Sequence, residues 1–294
     1  MNEIEIIKTI SSPIRWAGSK KTLMKDLFTY IPKDKEIYVE PFLGSGTVLL
    51  NILFNQDKFR FADYYVNDKN NCIITFFKKL KYDRNNLIEL ICKEVNKYNS
   101  LSLEEKEEYY YEKREEFNNR NNTNQLMNSV NFYILMKTCF NGVFRVNGDN
   151  KYNVPFGKKE KIANPTEQLI VISKLIKNVH FYNSDYQLFL ETVIKKCNIK
   201  NSFVYCDPPY IPEDDAVYKK QNMYSKYEFN HVYFCKIIRR YGKKAKICIS
   251  MSDSSKSNEI YGADFKKTLV NQVNRKVNPN KNKQSLEIVF TNYL

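Results

Sequence analysis

At 294 residues the chain is long enough for one large domain, or for a domain carrying a sizeable insertion. Its 47 Lys and Arg against 33 Asp and Glu leave a net charge of +14, an excess that favours a polyanionic partner, nucleic acid before an anionic membrane surface. The seven cysteines are scattered, no C-x-x-C pair occurs and only two histidines are present, which argues against a disulfide framework and against a zinc site.

The opening MNEIEIIKTISSP lacks a signal-peptide pattern, and no apolar run approaches membrane-spanning length, so a reduced, soluble, intracellular protein is expected. EIYVEP (Glu36 to Pro41) reads as a buried strand, FLGSG as a glycine turn, and Thr47 to Phe54 as an apolar helix. RFADYYVND (Arg60 to Asp68) is a second strand ending on an acid, which completes the opening of a parallel α/β sheet. From about Cys72 to Ala163 the composition turns charged and helical. Within that stretch the run LSLEEKEEYYYEKREEF reads as a solvated face, and FRVNGDNKYNV (Phe144 to Val154) carries a hairpin signal around Asn147-Gly148. QLIVISKLI returns to helix, and VHFYNSD, SFVYCD, KICISM and LEIVFTNY read as strands. KVNPNKNKQ (Lys276 to Gln284) is expected to be a mobile basic loop on phosphates, or a connector. The simplest organisation is one α/β domain, residues 1–71 and 164–294, split by an inserted module over 72–163.

Two clusters carry chemistry. In the first, glycines at 44 and 46 allow close backbone approach to a ligand, and the helix that follows offers free N–H groups to an anion. Asp68, closing the next strand, is placed to accept both hydroxyls of a ribose. The third glycine of a dinucleotide fingerprint is absent, so a nucleoside ligand without pyrophosphate fits better, and S-adenosylmethionine is such a ligand. The second cluster is Asp207-Pro208-Pro209-Tyr210, where a buried strand ends on two residues that cannot donate to a ladder. By itself DPPY reads either as a strand-ending turn or as a catalytic tetrapeptide.

RWAGSK (Arg15 to Lys20), YVEPFLGSG (Tyr38 to Gly46), FNGVFRVN with YNVPFGK (Phe140 to Lys158) and DPPY occur in the order found in the Dam-like DNA adenine methyltransferases, and the chain resembles that family over nearly its full length. The resemblance implies a Rossmann-like methyltransferase sheet with an inserted, mainly helical DNA-recognition module that carries a β-hairpin. It implies S-adenosyl-L-methionine bound by Trp16, Lys20, Glu40, Phe42, Gly44, Gly46, Asp68, Asp185 and Asp207, with Lys20 toward the carboxylate of the methionine part. For Asp185 a structural reading as a cap stands beside that role. Arg15, Phe140, Asn141, Val143, Arg145 and Pro155 match positions that face double-stranded DNA, although Arg145 also reads as plain surface charge. Catalysis would fall to Asp207, Pro208, Pro209 and Tyr210, with no metal, no membrane and a monomer acting on cytoplasmic DNA. An Arg fork suits a guanine edge, and Val or Pro suits a thymine methyl. The rival readings are an RNA adenine methyltransferase, a cytosine-N4 enzyme, which more often has Ser where Asp207 stands, and a DNA-binding protein with a decayed site.

Overall fold

The computed structural model describes residues 8–119, 124–211, 229–278 and 281–293, with 272–278 and 281–285 as backbone alone. In chain order the first elements are α1 (Met24–Leu27), β1 (Ile37–Glu40), α2 (Thr47–Phe54) and β2 (Asp63–Asn67). The helices α3 (Asn71–Tyr82), α4 (Arg84–Ser100), α5 (Leu103–Asn118), α6 (Gln125–Thr138) and α7 (Thr166–Leu175) follow. Then come β3 (Val179–Tyr182), α8 (Tyr186–Lys196), β4 (Ser202–Cys206), α9 (His231–Gly242), β5 (Lys246–Ser252), α10 (Ser255–Tyr261), β6 (Lys266–Asn278) and β7 (Lys281–Thr291). The fold is mixed α/β. The chain forms two compact units, one of residues 1–22, 43–55 and 68–183, the other of 23–42, 56–67 and 184–294.

The second unit contains most of the strands, in the order β2-β1-β4-β5-β7-β6. β2, β1, β4 and β5 are parallel, with Val39 level with Tyr65 on one side and Val204 on the other, while β7 runs antiparallel to β5 and to β6. Every residue of β1 and of β4 is buried, which explains their unbroken apolar runs: a parallel strand covered on both faces has no polar alternation to show. Tyr38, Phe61 and Phe203 form one aromatic cluster there. Chain progression reverses between β1 and β4, so the carboxyl ends of these two strands form a topological switch point, the usual place for a ligand in a Rossmann-like sheet. The residues that leave those ends are Pro41-Phe42 and Asp207 to Tyr210.

The first unit is mainly helical. α6 is buried along most of its length and packs against α3, α4 and α5, with Phe76 stacked on Tyr133 and Phe117 on Phe132. α5 starts from a capping box in which Ser102 and Glu105 satisfy each other's backbone N–H groups. The expected solvated face is present on one side of α5, where Glu104, Glu107, Glu108, Glu112 and Glu115 are exposed, but the other side is buried. Tyr109, Tyr110 and Phe117 are buried, and Lys113 sits in a partly buried ion pair with Glu94 at 3.2 Å and Glu116 at 3.1 Å. Lys106 Nζ lies over the Tyr98 ring and Lys113 Nζ over the Tyr109 ring, so one face of a run that looks charged in sequence is packed.

The chain reverses where a hairpin was expected, and one other expectation changes. The segment Phe144 to Val154 closes through a single antiparallel bridge, Val146 to Tyr152, with Asn147 N–H donating to Lys151 O at 2.9 Å. The stretch 276–284, expected as a mobile loop, lies instead on the paired strands β6 and β7, with Asn278 opposite Lys281; residues 279 and 280 fall outside the described residues. Backbone pairing carried outward from Leu269 and Ile288 holds this ladder, and an Asn/Lys-rich sequence gives no sign of it. No helix among the described residues is long and apolar enough to cross a membrane.

Candidate functional site

Within the first unit the glycine turn is held by an acid. Gly44 and Gly46 have φ of 51° and 73°, a region where a Cβ is strained, and Gly46 N–H closes the turn on Leu43 O at 2.8 Å. Asp68 Oδ2 accepts Gly44 N–H at 2.8 Å, and Asp68 Oδ1 accepts Asn70 N–H at 2.8 Å. Burial raises the Asp68 carboxyl above the ordinary range, against the pull of those two backbone donors. Each oxygen keeps a further lone pair for a ligand hydroxyl. Gly46 caps α2 without any side-chain hydrogen bond, so the first N–H groups of that helix are open to an anion.

The RWAGSK segment is pinned to this turn. Ser19 Oγ and Thr47 Oγ1 are 2.9 Å apart, Ser45 Oγ and Thr47 Oγ1 2.8 Å, and Ser12 Oγ donates to Ser45 O at 2.6 Å. Trp16 stacks on Phe144 with centroids 5.9 Å apart, and its Nε1 lies 3.5 Å from where a Cβ on Gly44 would sit. Lys20 is only 5% exposed, with Nζ donating to Gly18 O at 3.2 Å. The structure thus brings Trp16, Lys20, Gly44, Gly46 and Asp68 into one unit, four of them tied through the glycine turn or its neighbours.

The same unit gathers Arg15, Phe140, Asn141, Val143, Arg145 and Pro155. Ala17 N–H donates to Gly142 O at 2.9 Å, Phe140 N–H to Pro155 O at 3.0 Å, and Arg15 Nη1 to Cys139 O at 3.3 Å. Asn141 and Gly142 both have positive φ, and a Cβ on Gly142 would lie 2.8 Å from Arg15 Cγ. This backbone twist leaves Phe140 47% exposed, an aromatic ring that a folding core would otherwise bury. Arg145 is exposed, and its Nε donates to Asn153 Oδ1 at 2.9 Å. Behind these residues Lys137 is held down to about 8, first by burial and then by the charges of Lys159 and Arg15.

Glu40, Phe42, Asp185 and the DPPY tetrapeptide belong to the second unit. Glu40 is buried and accepts the Tyr38 hydroxyl at 2.9 Å. Phe42 packs among Tyr186, Phe229 and Phe234. Asp185 caps α8, accepting Gln187 N–H at 2.9 Å. Beyond β4, Asp207 and Tyr210 are half-buried, Pro208 is buried and Pro209 is exposed.

Sequence reasoning missed the residues that hold this turn. Tyr210 Oη donates to Glu287 Oε2 at 2.8 Å and lies 3.3 Å from Ser250 Oγ. His231 hydrogen-bonds the Pro209 carbonyl, and its Nδ1 is 2.8 Å from the Tyr261 hydroxyl; burial lowers its pKa to about 4. Asn67 ties the end of β1 to α8, donating to Pro41 O at 3.1 Å and Ser184 O at 3.0 Å. The one available signal was Glu287 itself, a lone acid inside the apolar run LEIVF. Among the described residues no group of His, Cys, Asp and Glu is arranged to hold a metal ion.

Comparison with known proteins identifies the family by sequence. The family model described as D12 class N6 adenine-specific DNA methyltransferase matches residues 16–277. The type II methyltransferase M.MjaIII of Methanocaldococcus jannaschii is 31% identical over 86% of this chain and 85% of its own length. A DNA adenine methylase of Haemophilus influenzae is 30% identical over 94% of this chain and 91% of its own. Among solved structures, the rRNA methyltransferase AviRa of Streptomyces viridochromogenes covers 96% of this chain and 90% of its own at 12% identity, with a TM-score of 0.37 too low to inform the site.

Proposed function

Because the chain belongs to the D12 class N6 adenine-specific DNA methyltransferases, and is a DNA adenine methyltransferase, we propose that it transfers a methyl group from S-adenosyl-L-methionine to a flipped adenine in double-stranded DNA, at GATC or a related site. The observation that carries this reading is the DPPY turn. It sets a carboxylate, a buried proline and a tethered tyrosine beyond β4, beside the switch point.

The residues present fit the donor. An uncapped helix N-terminus and the buried Lys20 ammonium suit its carboxylate, and the spare lone pairs of Asp68 suit its ribose. Trp16, Glu40, Phe42 and Asp185 complete the proposed set. When bound, the donor supplies a methyl group on a positively charged sulfur.

The remaining chemistry belongs to the protein. The exocyclic nitrogen of adenine is a poor nucleophile because its lone pair is delocalised into the ring. Asp207 and the Pro208 carbonyl each accept one amino hydrogen, which favours tetrahedral nitrogen and a localised lone pair. After transfer the cationic nitrogen releases its proton readily to water, so Asp207 acts as an acceptor and orienting group. Tyr210 stacks on the extrahelical base, recovering about 1–3 kcal/mol of the few spent on unstacking.

Residues 72–163 act as the target-recognition module. The exposed Phe140 wedges at the stack, Arg15 and Arg145 address base edges, and Asn141, Val143 and Pro155 complete the face. The net charge of +14 supports a DNA-bound state. Methylation of unmodified plasmid DNA by the purified protein, followed by mapping of every N6-methyladenine, tests the reading. Modified adenines confined to a motif without GATC would overturn the site assignment, and methylation of single-stranded DNA alone would overturn the duplex assignment.

A further inference from the structure

Glu287 is an acid in a place that does not favour one. It is 2% exposed on β7, next along the strand to the buried Ile288. A carboxyl group removed from water is costly unless it is hydrogen-bonded. One of its partners is Tyr210, the last residue of the DPPY turn, whose hydroxyl donates to Oε2 at 2.8 Å.

The sheet builds this contact from two strands. Ser252 is opposite Glu287 and Ser250 opposite Val289, so Ser250 and Glu287 share a face of the β5–β7 pair and lie diagonally adjacent. Ser250, also 2% exposed, places its Oγ 3.3 Å from the same tyrosine hydroxyl. Tyr210 is therefore tethered at its far end to the sheet, while its backbone belongs to the turn.

We infer that Glu287, assisted by Ser250, is a positioning residue for methyl transfer: it fixes the plane of the Tyr210 ring before the adenine arrives. The inference rests on the reading of DPPY as the turn that receives the flipped base. A ring hinged only at Cβ would exchange among its rotamers and lose that freedom when a base stacks on it. A ring pinned through its hydroxyl has already lost it. Glu287 thus acts through Tyr210, without touching the reacting atoms.

The test uses the full chain on a duplex with the mapped site, measuring single-turnover transfer at saturating donor and DNA. A second duplex with 2-aminopurine in place of the target adenine reports the state of the extrahelical base by fluorescence, which general loss of stability would not alter in folded protein. Tyr210→Phe keeps the ring and removes the tether; Glu287→Met removes the acceptor at similar volume; Glu287→Gln keeps an acceptor oxygen. Tyr210→Phe and Glu287→Met are each expected to slow transfer about two- to tenfold, the range carried by one hydrogen bond, and to change the 2-aminopurine signal in the same sense. The double variant should be no slower than either single, and Glu287→Gln should retain most of the wild-type rate.

Losses that multiply in the double variant, or a wild-type rate and fluorescence in Tyr210→Phe, would overturn the inference. Tyr210→Phe leaves β5 and β7 unaltered, so it decides the matter if Glu287→Met fails to fold. Wild-type protein that does not methylate adenine in the duplex would instead refute the functional reading beneath it.

Discussion

Acidification should expose the strain carried by His231. The ring is 4% exposed on α9, held between the Tyr261 hydroxyl and the Pro209 carbonyl, and burial lowers its pKa to about 4. In the unfolded chain an imidazole titrates near 6.5. Below that pH the unfolded state takes up a proton that the native ring refuses, so stability falls progressively from about pH 6.5 down to about pH 4. The two-state linkage relation gives a loss of about 2 kcal/mol between pH 7 and pH 5 from this one group, and about 3 kcal/mol by pH 4. Asp68 works in the opposite sense, because its raised carboxyl pKa makes protonation more favourable in the native state. Urea unfolding of the wild type and of His231→Gln at pH 7, 6 and 5 isolates the histidine, since Asp68 and the other carboxylates are common to both proteins. The wild type should lose about 2 kcal/mol more than the variant over that range. Parallel stability curves would refute the reasoning and mean that the native ring protonates where it lies.

The remaining expectations concern the site itself. Asp207→Ala should abolish detectable single turnover, whereas Asp207→Asn, which keeps a carbonyl oxygen, should retain measurably more; equal inactivity with both ligands bound would show that the charge matters. Arg145→Ala should cost about 1–3 kcal/mol of discrimination at one base pair and relax the site there, as scored by mapping methylated adenines, and an unchanged preference would return Arg145 to surface charge. Gly46→Ala places a Cβ at positive φ and 3.0 Å from Phe77 Cζ, so it should lower stability by about 1–2 kcal/mol in thermal or urea unfolding; no change in stability would mean that the turn can relax.

The parallel strands were legible because burial on both faces writes itself into sequence as short apolar runs with sharp ends. β1, β4 and β5 start and stop within a residue or two of where EIYVEP, SFVYCD and KICISM suggest, and α2 spans the expected Thr47–Phe54. α5 was not legible in the same way. Its buried residues include Lys106 and Lys113 beside Tyr109, Tyr110 and Phe117, so the helix lacks a clean apolar stripe. The pairing of β6 with β7 near residue 278 was hidden because backbone hydrogen bonds hold it and leave no apolar alternation to read. The motifs singled out Asp68, the glycine turn and DPPY as candidates, but not the partners that steady each of them. Glu287 and His231 reach the turn from β7 and α9, and nothing local to Tyr210 or Pro209 encodes a partner so distant in the chain.

The two backbone donors on Asp68 make its chemistry unforgiving of the mildest substitution. Asparagine has the same shape but only one oxygen, and here both positions face an N–H, from Gly44 on one side and Asn70 on the other. Whichever way the amide is turned, its NH₂ must oppose a donor. Loss of function in Asp68→Asn would therefore record a collapsed glycine turn before it recorded a missing ribose contact. The acid we propose for the ribose is also a structural pin, and only a carboxylate can be both.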